Sequence, residues 1–287
     1  KKESIKPFIN KVIPVSTKQI IKDSIPYQLY QSNFRVNLPA NYIRGLKEKS
    51  NPIYIDIKQK DYEKLLKKRN RAIKEGVLLK YDEDYVKAII SEKGNTAKVK
   101  IRLKGDWPDH LQGDKWSFRV KVNKDKTFRN MKKFSLHAPV TRNYIWEWVY
   151  LKLLKDEGLP SLRYTFRPLI VNGNNLGIYS LEEHFDKILL ESNLFKEGPI
   201  IKLNEDGYWL KKHQNLNSNT DDEYFKATTN GFKYKSIIKK ENLKNSFLLA
   251  NQILNAFKKG LIDTSSAFDR KLLSKYLAIN DLTDAHH

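Results

Sequence analysis

Residues 101–122 read IRLKGDWPDHLQGDKWSFRVKV, two short alternating runs joined by a loop that carries Gly105, Asp106, Trp107, Pro108 and His110. Alternation of apolar and polar residues is the strand period. Traced back to Lys98, the first run puts Val99, Ile101 and Leu103 on one face and Lys98, Lys100, Arg102 and Lys104 on the other. The second puts Trp116, Phe118, Val120 and Val122 inward and Lys115, Ser117, Arg119 and Lys121 outward. Neighbouring strands of this kind predict a cationic sheet face, which suits phosphates; the alternative is an ordinary solvated face. Gly105 lies between the strand and Asp106-Trp107, where a residue without Cβ lets backbone amides approach an anion closely.

The pattern extends in both directions. PIYIDI (52–57) reads as a strand, and Tyr62, Leu65, Leu66, Arg69, Ala72 and Ile73 recur at helical spacing until Gly76. YVKAIIS and AKVKIRLK flank the turn EKGN, and TFRPLIV and LGIYSLEE flank NGNN, an Asn-Gly hairpin signal. Residues 123–141 read as a loop through Met131 and Pro139. Residues 142–157 then form a helix that is apolar nearly all round, closed by Gly158 and Pro160. PIIKL is a short strand, residues 211–245 a polar loop or insertion, and helices are expected at about 244–259 and 267–282. Residues 1–50, broken by Pro7, Pro14, Pro26 and Pro39, read as an extended arm. The order predicts an α+β chain: arm (1–50), sheet-rich lobe containing the buried helix (51–183), then a helical lobe (184–287).

Composition narrows the chemistry. The chain has 287 residues, 40% of them hydrophobic, which is enough for a real core. Lys and Arg number 54 against 33 Asp and Glu, a formal charge of +21 that concentrates anionic partners without choosing among them. With no cysteine, disulfides, thiolate metal sites and a cysteine nucleophile are excluded. No stretch approaches the roughly 18 apolar residues of a membrane span. The chain opens on Lys1-Lys2 without Met, so a removed signal or anchor is the one route to a membrane. The sequence holds no Walker loop, HExxH or GxSxG motif, and no internal repeat.

Two carboxylate positions draw notice. Glu147 sits on the apolar helix, and a buried carboxylate needs a partner. Either a Lys or Arg of the sheet supplies it, as in the ion pair that orients the nucleotide-binding Lys of protein kinases, or Glu147 meets solvent. Glu182 and Glu183 end a strand, but neighbours on a strand point to opposite faces, so they cannot flank one glycosidic bond. Nucleic-acid binding would need the aromatics near the basic strands for stacking, yet the alternation turns Trp116 and Phe118 inward, so that class is disfavoured.

VKIRLKGDWPDHLQGDKWSFRVKV, TRNYIWEWVYLKLLKDEGLP, LIVNGNNLGIYSLEEHFDK, GPIIKLNED and LLSKYLAINDLTDAHH, in this order, resemble the spore-coat CotH kinase family from about Pro52 onward. The resemblance implies an atypical protein-kinase fold of two lobes that binds ATP and Mg²⁺ or Mn²⁺ between them. It also implies phosphorylation of Ser or Thr on secreted or surface proteins, in a bacterial envelope, spore coat or secreted setting. Under it Arg102, Lys104, Lys115, Ser117 and Arg119 line the phosphates, Arg142 matches the Arg that opens the family's buried helix, and Glu183 its Leu-x-Glu position. Asp281 and Asp284 lie near the expected catalytic base. The family continues from there to an Asn and a metal-binding motif, and this chain stops at His287. The expectation is therefore a phosphotransferase module that is a fragment of a longer chain, with a non-catalytic pseudokinase or polyanion-binding surface protein as the alternative. His286 and His287 read equally as a tag remnant, a chance metal site or part of a helix.

Overall fold

The computed structural model describes residues 50–123, 126–204 and 228–285, with positions 43, 207, 209, 211 and 214. By its contacts the chain divides into two compact units, Lys1–Ser50 and Asn51–His287. The arm expected at 1–50 and the pair His286-His287 lie outside the described residues, apart from Ile43 and Ser50.

Alternation builds the first layer. β1 (Ile53–Ile57) buries Ile53, Ile55 and Ile57 and exposes Tyr54 and Asp56. α1 (Gln59–Glu75) lays Leu65 and Ala72 into the same core and stacks Tyr62 on Trp116 at 5.6 Å between ring centroids. β2 (Val86–Glu92) and β3 (Asn95–Leu103) pair antiparallel through the Lys93-Gly94 turn. β4 (Phe118–Val122), β5 (Lys133–His137), β6 (Tyr164–Val171) and β7 (Asn174–Glu183) complete a closed barrel in the order β1-β2-β3-β4-β5-β7-β6. Only β1–β6 is parallel, pairing Ile53 with Leu169 and Ile55 with Val171. Asn172 and Gly173, at φ 48 and 82, form the β6–β7 turn; both centres need positive φ there, which Asn and Gly tolerate best.

The barrel is filled by residues with no accessible surface, among them Ile90, Ile101, Val120, Phe134, Leu136, Leu169 and Tyr179. Closing the sheet removes its edges. The α+β class holds, and a closed barrel does not by itself establish a kinase-like lobe.

Three readings change. Lys133–His137, expected inside a loop, is the strand β5 between β4 and β7. Its outward residues Ser135 and His137 are themselves fully buried, so the exposed charge that usually marks a strand's outer face is missing. The helix expected over 142–157 is shorter, α2 at Trp146–Asp156, because a 3₁₀ turn at Pro139–Arg142 and left-handed Asn143 and Tyr144 precede it. It is also less buried than its composition implies: Leu151 and Leu154 pack with Leu159, Tyr164 and Ile279, while Ile145 and Trp146 are more than half exposed. Apolar content around the whole circumference does not say which face finds a neighbour.

The polar stretch 211–245 also holds regular structure. After α3 (Lys187–Ser192), β8 (Ile201–Asn204) pairs with β9 (Thr228–Gly231), and α4 (Tyr234–Ile237) follows. α5 (Glu241–Lys258) begins inside the same stretch, and α6 (Thr264–Ala267) and α7 (Arg270–Thr283) come after it. α7 lies against α2, where Tyr150 Oη donates to Asn280 Oδ1 at 2.9 Å.

Candidate functional site

Strand register on the outer face of the barrel assembles the site. Arg102 stands opposite Arg119, Arg119 opposite Ser135, Ser135 opposite Glu182 and Glu182 opposite Tyr164, one row across β3, β4, β5, β7 and β6. His137 is opposite Ser180 in the next row. Lys104, just past β3, reaches into this row: its Nζ donates to Glu182 Oε2 at 2.7 Å, with side chains 11% and 14% exposed. His137 Nε2 lies 3.3 Å from the same oxygen but is not aligned for a hydrogen bond.

Cations crowd the site: Glu182 faces Lys104 and Arg119, with Arg142 acting on Lys104 and Arg102 on Arg119. Burial pushes the Glu182 carboxyl up, but Lys104 above all, and then Arg119, overcome this and hold it well below its ordinary value. Burial lowers Lys104, with Glu182 opposing and Arg119 adding to the effect; Arg119 is lowered by burial too. The histidines are kept neutral, each chiefly by burial and then by neighbouring cations: His110 at about 3, His137 at about 4 and His184 at about 2. Arg119 Nη1 lies 2.8 Å from His184 Nδ1. A guanidinium only donates, so Nδ1 accepts and the ring proton sits on Nε2.

Polar groups without partners mark the same place. Ser135 Oγ and His137 Nε2 are buried and make no hydrogen bond, and the Tyr164 and Ser180 hydroxyls adjoin each other without hydrogen-bond alignment. An unsatisfied buried polar group costs about 1–3 kcal/mol, so several around one ion pair point to a site built for something besides stability.

The residues singled out from sequence divide into two groups. Lys104, Arg119 and Arg102 come together, Arg102 with its guanidinium 5.3 Å over the Tyr85 ring, and Arg142 is near enough to act on Lys104, His137 and Tyr164. The others lie apart. Lys115 Nζ is over Gly177, toward the start of β7. Ser117 is fully buried with its hydroxyl 2.9 Å from His110 Nδ1. Gly105 is not an open cradle for an anion, because the His110 ring fills the space where its Cβ would stand. Glu147 lies 4.0 Å from Arg142, just before its own helix. Glu183 faces the other way from Glu182, and its carboxylate is clamped by Arg163 Nε at 2.9 Å and Nη2 at 2.5 Å. Asp281 and Asp284 end α7, Asp284 in the left-handed conformation (φ 53).

His137, Ser135 and His184 were not assigned a role from the sequence, and Glu182 was noticed there only beside Glu183 as a strand-end carboxylate. The signal for Glu182 was parity. Leu181 belongs to the core, so Glu183, two residues on, shares its side of the strand, and Glu182 shares that of Ser180.

A family model described as CotH kinase protein matches residues 101–285, well over half of the chain. The chain belongs to the CotH kinase family. No curated protein matches it. The matched segment begins inside β3 and includes Lys104, Arg119, Glu182, Asp281 and Asp284, whereas β1, α1 and β2 lie before it. CotH membership points to a kinase-like function.

Proposed function

We propose that this CotH-family chain binds ATP against the outer face of β3, β4, β5 and β7 and, with Mg²⁺ or Mn²⁺, phosphorylates Ser or Thr of a protein acceptor. The buried Lys104–Glu182 pair carries the reading, since a Lys held by a Glu for the phosphates is the arrangement that protein kinases use. The residues fit a polyphosphate. Lys104 has three ammonium hydrogens and gives one to Glu182, leaving two for phosphate oxygens. Arg119 is anchored by His184 and Arg102 by Tyr85, so both forks are ordered before a ligand arrives.

Bound ATP would supply the phosphoryl group, and the protein's part is placement and neutralisation of charge. Among the described residues no three His, Asp or Glu side chains converge as a metal cage. Mg²⁺ carried by nucleotide phosphates needs only one or two carboxylates, for which Asp281 and Asp284 are the candidates, one of them also serving as base for the acceptor hydroxyl.

Calorimetry with ATP and Mg²⁺ tests the binding half. Arg119→Ala should weaken affinity about tenfold or more, since a charge-assisted contact is worth roughly 1.5–3 kcal/mol, whereas Lys115→Ala should leave it unchanged. Equal affinity in the Arg119 variant would overturn the assignment. Transfer from radiolabelled ATP to protein acceptors tests the other half. Binding without transfer would favour the pseudokinase reading.

A further inference from the structure

One strand step from the Arg102–Arg119–Ser135–Glu182 row runs another that the nucleotide reading does not use. Lys87 stands opposite Lys100, Lys100 opposite Lys121 and Lys121 opposite Lys133, so four ammonium groups lie abreast across β2, β3, β4 and β5. Directly opposed residues of a sheet have Cβ atoms about 4.5–5.5 Å apart, and like charges there are destabilising. A row of three such pairs is a standing cost to the fold unless something anionic meets it.

The row borders a groove of about 1130 Å³, lined by Lys98, Lys100, Lys121 and Lys133 from the strands and by Lys126, Lys132 and Lys233 from the connections. Ile89, Thr96, Val122 and Asn123 also line it, and among the described residues the lining includes no carboxylate. Asp186 touches Lys233 from outside it, at 3.3 Å. Ile89, Thr96, Lys98 and Lys100 precede the segment that the family model matches.

The chemistry of the lining selects among polyanions. Single-stranded nucleic acid is held by aromatic stacking and by arginine, and among the described residues the lining has neither. A bilayer surface wants large apolar anchors on a convex or flat face, and here the surface is concave with Ile89 and Val122 as its apolar members. Lysines on flexible stems, spaced two residues apart along β3 and one strand apart across the sheet, suit carboxylates carried on an extended polypeptide at similar intervals of about 6.6–6.8 Å.

We propose that this groove docks an acidic segment of the protein acceptor, rich in Asp, Glu or phosphoserine, and so directs the kinase to Ser or Thr with acidic neighbours. The direction of a hydroxyl toward Lys104 rests on the phosphotransferase reading; the docking itself needs no nucleotide.

Fluorescence anisotropy without ATP, using a labelled oligoglutamate peptide, a Gly-Ser peptide of equal length and an oligothymidylate, tests the docking. The acidic peptide should bind in a salt-sensitive way, and K121E/K133E should weaken it at least tenfold, while the charge reversal K64E on α1 should stay within twofold. Acetic anhydride footprinting of the unaltered protein should show Lys121 and Lys133 protected by the peptide, which covers the case of a variant that folds poorly. Unchanged binding in K121E/K133E, no protection, or tighter and groove-dependent binding of the oligothymidylate would overturn the proposal. Peptide docking with no phosphate transfer would leave the groove standing and remove the kinase reading. Transfer that ignores acidic neighbours, with no docking, would do the reverse.

Discussion

Lys104 and Glu182 meet at 2.7 Å on the outside of the barrel, each almost closed off from solvent, with Arg119 beside them. Removing one partner of a buried pair leaves the other charge uncompensated, at a cost of about 3–5 kcal/mol. Glu182→Gln should therefore lower the unfolding free energy by an amount of that order, because it leaves the cations facing one another. Lys104→Met with Glu182→Gln should cost clearly less than the two single changes added. Urea denaturation of the three variants measures this, and a Glu182→Gln protein as stable as the parent would show that the pair is not formed.

Glu183 should behave differently. Arg163 fixes its carboxylate through Nε and Nη2, the Arg163 backbone N–H adds a third bond at 3.1 Å, and Arg163 Nη2 also reaches Asn130 O. Glu183→Gln should destabilise by about 2–4 kcal/mol yet leave ATP affinity within twofold, whereas Arg119→Ala should weaken ATP with a smaller effect on folding. Calorimetry paired with denaturation separates the two, and a tenfold affinity loss in the Glu183 variant would return that residue to the site.

The contrast shows where the sequence was legible. Local pattern carried β1, α1, the two hairpins and the inward set Trp116, Phe118, Val120 and Val122, because alternation and turn residues act between neighbours. β5 escaped because Lys-Phe-Ser-Leu-His is short and its outward Ser135 and His137 are buried by other parts of the chain. The meeting of Lys104 with Glu182 depends on β5 pairing with both β4 and β7, and nothing within either strand records that order. Gly105 was noticed for its missing Cβ, which would let backbone amides approach an anion, but what fills the space over it is His110 from the following turn.

That ring makes Gly105→Ala severe. The backbone sits at φ +110, and an added Cβ would meet His110 Cβ, Cγ and Cδ2 at 2.5–2.6 Å. Strain and clash together should cost more than about 2 kcal/mol. Gly105→Ala with His110→Gly should recover part of the loss, leaving the φ penalty, because only glycine at 110 removes the Cβ as well as the ring. Thermal melts of the single and double variants decide it, and a Gly105→Ala protein that melts with the parent would contradict the packing.

Three buried neutral histidines make the fold acid-sensitive. His110, His137 and His184 titrate at about 3, 4 and 2 when folded, against 6.5 when unfolded. Between those limits the unfolded chain binds protons that the folded one refuses, so stability is full above pH 6.5 and falls below it. Three such groups give a slope approaching ~4 kcal/mol per pH unit. Glu182 acts in the same direction at lower pH, since its depressed value means that its contribution is lost only as pH drops through the folded value. Urea midpoints should fall steeply from pH 7 to pH 5, and a flat profile would refute the neutral burial of these rings.

Lys133 adds a pH dependence of opposite sense to the lysine groove. Burial, then Arg119, Arg102, Lys121 and Lys233, bring its ammonium down to about 7. His184 beside it is neutral across the working range and Glu182 is ionised, so neither competes near neutrality. A carboxylate docked in the groove favours the charged form of Lys133, and binding therefore takes up a proton around pH 7 to 8. Affinity for the oligoglutamate peptide should fall several-fold from pH 6.5 to pH 8.5, and titrations in buffers of different ionisation enthalpy should register the uptake. Lys133→Arg keeps its charge throughout, so its profile should be flatter than the parent's while its affinity at pH 6.5 is retained. Identical pH profiles for the parent and Lys133→Arg would show that Lys133 does not face the bound peptide.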